Sequence, residues 1–106
     1  EVYAHDRTYL GWWLAAICFQ PAIVEELFFR GLAFGALRSA TGAQTAVWIT
    51  SLMFALSHIG VPLSMPALFV LGLGLGYARM LSGGIILPVA MHFLHNFIIM
   101  ILNGYF

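Results

Sequence analysis

Charged side chains are rare along this chain, and the stretches between them are apolar. Glu1, Asp6 and Arg7 stand at the start, Glu25, Glu26 and Arg30 form a group, and Arg38 and Arg79 stand apart. The intervening charge-free runs are 8–24, 39–78 and 80–106. A membrane-spanning helix needs about 20 predominantly apolar residues. The run 39–78 is too long for one span, and Gly60-Val-Pro62 with Ser64-Met-Pro66 divides it. The pattern predicts four helices over about 9–38, 44–59, 66–81 and 84–103. Their joints fall at Ser39–Gln44, Gly60–Met65 and Ser82-Gly83-Gly84, short enough to make neighbouring helices antiparallel. Strands do not fit, because a membrane strand would place a polar residue at every second position.

Composition changes the picture from helical to membrane-embedded. Of 106 residues, 62% are hydrophobic and 8% charged, against roughly 25% charged in an average soluble domain. So small a domain is mostly surface, and these few polar groups could not cover it in water. Four arginines balance four acidic residues without a lysine, so the basic patch of a nucleic-acid binder is missing. A lone cysteine, Cys18, excludes a disulfide framework and a cysteine-based zinc cage. The expected fold class is an all-α integral membrane protein. Residues 1–106 are expected to form a single domain, a bundle of about four transmembrane helices. The first residue is Glu1 and no signal-peptide pattern follows, which reads as a fragment or cut-out domain of a larger multi-helix membrane protein. Tyr9, Trp12, Trp13 and Tyr105 fit interfacial anchors, and Arg38 and Arg79 fall on one side of an alternating bundle, the cytoplasmic side by the positive-inside rule.

Glu25, Glu26 and Arg30 lie in the middle of the first apolar segment, where an ionised side chain costs about 2.5–3.5 kcal/mol on insertion scales. Glu26 and Arg30 are four residues apart and pair along one helix face. Glu25 points about 100° away and has no local partner. Pro21, four residues earlier, is expected to open the backbone. His58 closes the second helix; His92 and Asn96 share a face of the fourth. Measured from the Arg38/Arg79 ends at 1.5 Å per residue, Glu25 lies about 20 Å deep, His58 about 21 Å, His92 about 12 Å and Asn96 about 18 Å. These overlapping depths predict one shared polar cavity. Gly31 with Gly35, and Gly72 with Gly76, have the spacing that lets helices approach closely.

A carboxylate, two imidazoles and an amide suit hydrolysis of an amide bond. Glu25 is placed as general base on a water, with His58 orienting that water. His92 and Asn96 are placed as donors to the developing oxyanion. Glu26 and Arg30 are expected to support the site. Ser57 and Cys18 make poor nucleophiles: Ser57 points away from the adjacent His58, and Cys18 has no histidine near it in sequence. A zinc site of Glu25, His58 and His92 remains an alternative to a cofactor-free centre, without an H-E-x-x-H motif to support it.

In order and type, Glu25-Glu26-x-x-x-Arg30, Phe54-x-x-x-His58 and His92-x-x-x-Asn96 resemble the three motifs of the CAAX-prenyl-endopeptidase and bacteriocin-processing (CPBP, or Abi) family of intramembrane proteases. The resemblance runs from about residue 17 to 100. It implies a type II CAAX prenyl protease-like endopeptidase acting on prenylated proteins or bacteriocin-type peptides, through a glutamate-activated water and without a catalytic metal. It also implies a multi-pass cell-membrane protein whose partners are membrane lipids and a peptide or lipidated protein, with no nucleic acid. By motif, Glu25 is the base, His58 its partner, His92 and Asn96 the oxyanion side, and Glu26 with Arg30 the support. A rival expectation from another class is a non-catalytic membrane protein for bacteriocin self-immunity or scaffolding.

Overall fold

The computed structural model describes residues 9–104, and these fold into four helices in the expected order. Helix α1 runs Leu10–Thr41, α2 Ala43–Leu56, α3 Met65–Ser82 and α4 Ile86–Leu102. A 3-10 turn, Pro62–Ser64, leads into α3. Tyr105, Arg7, Asp6 and Glu1 lie outside the described residues.

The first joint is tighter than the sequence predicts, whereas the last, residues 83–85, is no shorter than predicted. Gly42 alone separates α1 from α2, at φ +92°, which a residue with a Cβ rarely adopts. Its N–H donates to the Arg38 carbonyl at 3.0 Å. Gly83 ends α3 in the left-handed conformation, φ +77°, and its N–H caps the Arg79 carbonyl at 3.1 Å.

Helix α2 stops at Leu56 rather than 59, so His58 sits in a turn beyond it. The Ser57 hydroxyl donates to the Phe54 carbonyl at 2.6 Å, and His58 Nδ1 lies 2.8 Å from the same oxygen. Side chains thus satisfy a carbonyl at the end of the helix, and the chain tightens through His58 N–H to Ala55 O at 3.0 Å. Val61, before Pro62, has left the helical region (φ −129°, ψ +68°), which proline disfavours for its predecessor. The result shortens α2 to 14 residues, about 21 Å, and α4 has 17, about 26 Å. Among the described residues, Leu10–Thr41 and Pro62–Ser82 are the two helices long and apolar enough to cross a membrane, whose hydrocarbon core is about 30 Å thick.

Pro21 does not break α1. The helix instead widens into π turns on either side of the acidic pair, over Leu14–Phe19 and Leu27–Ala33. The first lies just ahead of Pro21, where the pyrrolidine ring would clash with a carbonyl of a regular helix. Such insertions often mark functional positions.

The C-terminal half of α1 packs on α2 and α3, burying Phe34 with Ala46 and Val47 beneath Leu37, Leu73 and Tyr77. Its N-terminal half packs on α4, which also touches α3. Of the two glycine pairs, only the second makes a close approach. A Cβ on Gly76 would stand 2.9 Å from Val47 Cγ1, and one on Gly72 would stand 3.1 Å from Ser51 Cα, whereas Gly35 faces open space and Gly31 meets only its own Glu26 carbonyl.

The surface is inverted relative to a water-soluble protein. Glu26 and Arg30 are 0% exposed, while Leu63 is 98% and Ile86 85% exposed. An apolar shell around buried charge is the distribution that lipid or further helices would cover. Gly76→Ala is expected to lower the unfolding midpoint in detergent, because overpacking costs about 1–3 kcal/mol. Gly35→Ala is expected to leave it unchanged or raise it by helix propensity. Thermal melts of the two variants check the contrast.

Candidate hydrolytic site

The seven-residue α-helical stretch Gln20–Glu26 lies between the two π turns and ends on the acidic pair. Neighbouring side chains diverge by about 100°, so Glu26 points into the bundle and Glu25 to its edge. Glu26 is fully buried; the Glu25 side chain keeps 31% exposure.

One oxygen of Glu26 gathers two donors. Arg30 Nη1 donates to Glu26 Oε2 at 2.9 Å, the pair that the four-residue spacing predicts. His92 Nδ1, from α4, reaches the same Oε2 at 2.7 Å. The second arm of Arg30, Nη2, donates to the Gly72 carbonyl on α3 at 3.0 Å. That bond needs the space a Gly72 Cβ would take, 3.3 Å from Nη2. Beside Arg30 the carboxylate is the acceptor, so His92 Nδ1 carries the hydrogen. Its Nε2 therefore turns the other way, toward Glu25 Oε1 at 3.9 Å. This distance exceeds a hydrogen bond and leaves room for one bridging atom.

Phe54 joins these groups. Its ring lies 4.7 Å from Arg30 Cζ, stands edge-on to His92 at 5.7 Å and to Phe29 at 5.5 Å, and meets the His58 ring at 5.0 Å. The F-x-x-x-H spacing brings Phe54 and His58 together, but the part Phe54 plays as the surface beneath both imidazoles and the guanidinium is not visible in the spacing alone. The Phe54 carbonyl can only accept, so His58 Nδ1 donates to it, leaving Nε2 without a hydrogen in the neutral ring.

Of the four residues expected around one cavity, Glu25 and His92 face each other. Among the described residues, neither His58 nor Asn96 is hydrogen-bonded to either of them. Asn96 lies one turn beyond His92, with Nδ2 buried and without a hydrogen-bond partner. No three His, Cys, Asp or Glu side chains among the described residues stand together as a metal-binding group, so Glu25, His58 and His92 do not form one in this conformation. An apolar groove of about 520 Å³ between α1 and α4 runs beside the cluster, lined by Ala22, Leu27, Val89 and Phe93 among others. None of the four expected residues lines it.

The charge pattern predicts Arg79 at the membrane surface. In the structure it is half-buried; its Nε donates to the Arg30 carbonyl at 3.0 Å and its guanidinium lies 5.0 Å from the Phe34 ring centre. The signal was its spacing: Gly72, Gly76 and Arg79 share one face of α3.

Arg30→Ala is expected to cost about 3–5 kcal/mol, because it leaves the Glu26 charge buried and unpaired. Low folded yield should therefore precede any kinetic defect. Adding Glu26→Gln to Arg30→Ala should recover part of the loss, since Gln still accepts from His92. Folded yield of the two variants by gel filtration checks this; no recovery would mean that stranded charge is not the cause.

A family model described as type II CAAX prenyl endopeptidase, Rce1-like, matches residues 7–98. An uncharacterized 24.3 kDa protein of Escherichia coli is 38% identical over 72 residues, covering 64% of this chain and 33% of that protein. The match thus spans about a third of the relative's length. No solved structure matches the chain. The motif order, the acidic pair joined to a histidine of α4 and the family match agree: the chain belongs to the Rce1-like type II CAAX prenyl endopeptidase family, a family of membrane-embedded proteases.

Proposed function

We propose that this chain carries the hydrolytic centre of a multi-pass intramembrane endopeptidase, with Glu25 as the base. The observation that carries the reading is the unequal pair of carboxylates. Glu26 is tied to Arg30 and His92, whereas Glu25 is partly exposed and faces His92 Nε2 across 3.9 Å. A water about 2.8 Å from each atom fits that gap. Glu25 takes its proton as the oxygen attacks the scissile carbonyl carbon, then returns the proton to the leaving amine.

In its imidazolium form His92 carries a hydrogen on both ring nitrogens. Its Nε2–H then donates to the carbonyl oxygen as that oxygen turns negative. Asn96 Nδ2, buried without a partner, supports a role as second donor. His58 presents a bare Nε2 in its neutral form, the acceptor that a role in orienting the water requires. The apolar groove beside the cluster suits the lipid-like or apolar part of a prenylated protein or bacteriocin-like peptide. No step requires a metal. Lipid or further helices would cover the apolar shell and close the site.

One observation favours a second reading, a binding or immunity protein without catalysis. His58 is hydrogen-bonded within its own turn rather than to Glu25 or His92. A cleavage assay of the full-length protein in liposomes separates the two. Glu25→Gln is expected to lower the rate by at least about 100-fold, with the wild-type rate unchanged by chelator. Equal rates for wild type and Glu25→Gln would remove Glu25 as base. An immunity phenotype lost in Glu25→Gln, with no peptide cut by wild type, would establish the binding reading. Stoichiometric zinc lost together with activity would make Glu25 and the histidines ligands.

A further inference from the structure

We infer that Arg79 is a positioning residue: its Nε–H holds the Arg30 carbonyl, and so holds the π turn that aims Glu25 and Glu26. Every buried backbone carbonyl needs a donor. In a regular α-helix the Phe34 N–H would serve Arg30. Here that N–H is directed to Phe29 O, five residues back, and to Gly31 O, three back. The Phe34 N–H thus passes over the Arg30 carbonyl, which accepts from Arg79 Nε of α3 at 3.0 Å.

The reach is fixed at both ends. The Arg79 guanidinium lies over the Phe34 ring, which is buried in the α1–α2 core. Two turns earlier on the same face of α3, the Gly72 carbonyl accepts from the Arg30 side chain. Helix α3 therefore grips Arg30 by its main chain and its side chain. A charge kept only for membrane topology would have no reason to turn inward; Arg38, at the matching end of α1, is exposed.

Loss of this donor favours a return to regular α-helix. Because Phe34 anchors the C-terminal half, the segment before Arg30 would turn by one residue, about 100°, and shift by about 1.5 Å. Glu25 would then leave His92 Nε2, and Glu26 would leave His92 Nδ1. The backbone claim stands on the hydrogen bonding; its consequence for hydrolysis rests on the function proposed above.

The test uses two uncharged replacements of matching length in the full-length protein. Arg79→Gln puts an amide N–H where Nε stands, and Arg79→Met puts a methyl group there. With Cys18→Ala as background, spin labels at the exposed Val24 and Leu94 report the distance from α1 to α4 by pulsed electron resonance in liposomes. Arg79→Gln is expected to keep the wild-type distance. Arg79→Met is expected to move it by on the order of 5 Å, while an Ala36–Leu94 pair stays in place. Gln and Met variants that behave alike, both shifted or both unshifted, would overturn the inference. If Arg79→Met yields no folded protein, Arg79→Gln alone decides: a wild-type distance upholds the role and a shifted one refutes it. In the same proteins, peptide cleavage should lose kcat at constant KM in Arg79→Met and recover it in Arg79→Gln. Distances as expected with no cleavage by any form, wild type included, would sink the hydrolytic reading and leave the positioning role intact.

Discussion

A single carboxylate oxygen, Glu26 Oε2, organises this bundle. It accepts from Arg30 on its own helix and from His92 on α4, while Arg30 extends its other arm to the Gly72 carbonyl of α3. A charge removed from water is costly unless it is paired and hydrogen-bonded. Helices α1, α3 and α4 must therefore meet here in one arrangement. Phe54 adds α2 by placing its ring against both Arg30 and His92. Most of the remaining packing is apolar and less directional, so this cluster, with the Arg79–Arg30 contact and the Trp48–Tyr77–Gln44 hydrogen bonds between α2 and α3, sets the relative rotation of the helices.

The same cluster gives adjacent glutamates different surroundings. Glu26 is enclosed and doubly bonded, and Glu25 stands at the edge with one imidazole nitrogen opposite it. The ring of His92 links the two, since the hydrogen on Nδ1 commits Nε2 to the Glu25 side. The π turns that flank the pair belong to this arrangement. They let one continuous helix carry Phe34 into the core on α2 and still present Glu26 to α4.

Much of the architecture could be read from the residues, because apolar runs bounded by glycine and proline leave few alternatives for a helical membrane chain. The Glu26–Arg30 pair was equally visible, being set by local helix geometry. Other features depend on how helices rotate, which periodicity does not fix. Gly31 and Gly35 have the same spacing as Gly72 and Gly76, yet only the latter pair faces a neighbouring helix. Residues 25 and 26 differ by about 1.5 Å in depth, too little for depth arithmetic to say which one His92 would bond. The early end of α2 was hidden because Ser57 and His58 compete for the Phe54 carbonyl through side-chain bonds. Arg79 was read as a surface charge because its inward partner, a bypassed carbonyl, exists only once the π turn has formed.

The family model covers residues 7–98, a span that includes Glu25, Glu26, Arg30 and His92. The central claim is that His92 gives its Nδ1 hydrogen to Glu26 and turns Nε2 to Glu25. Solid-state nitrogen NMR of histidine-labelled protein in liposomes reads this directly. The account predicts a protonated Nδ1 at His92 whose signal moves in Glu26→Gln, and an Nε2 signal that moves in Glu25→Gln. An unprotonated Nδ1, or ring signals indifferent to both substitutions, would contradict it.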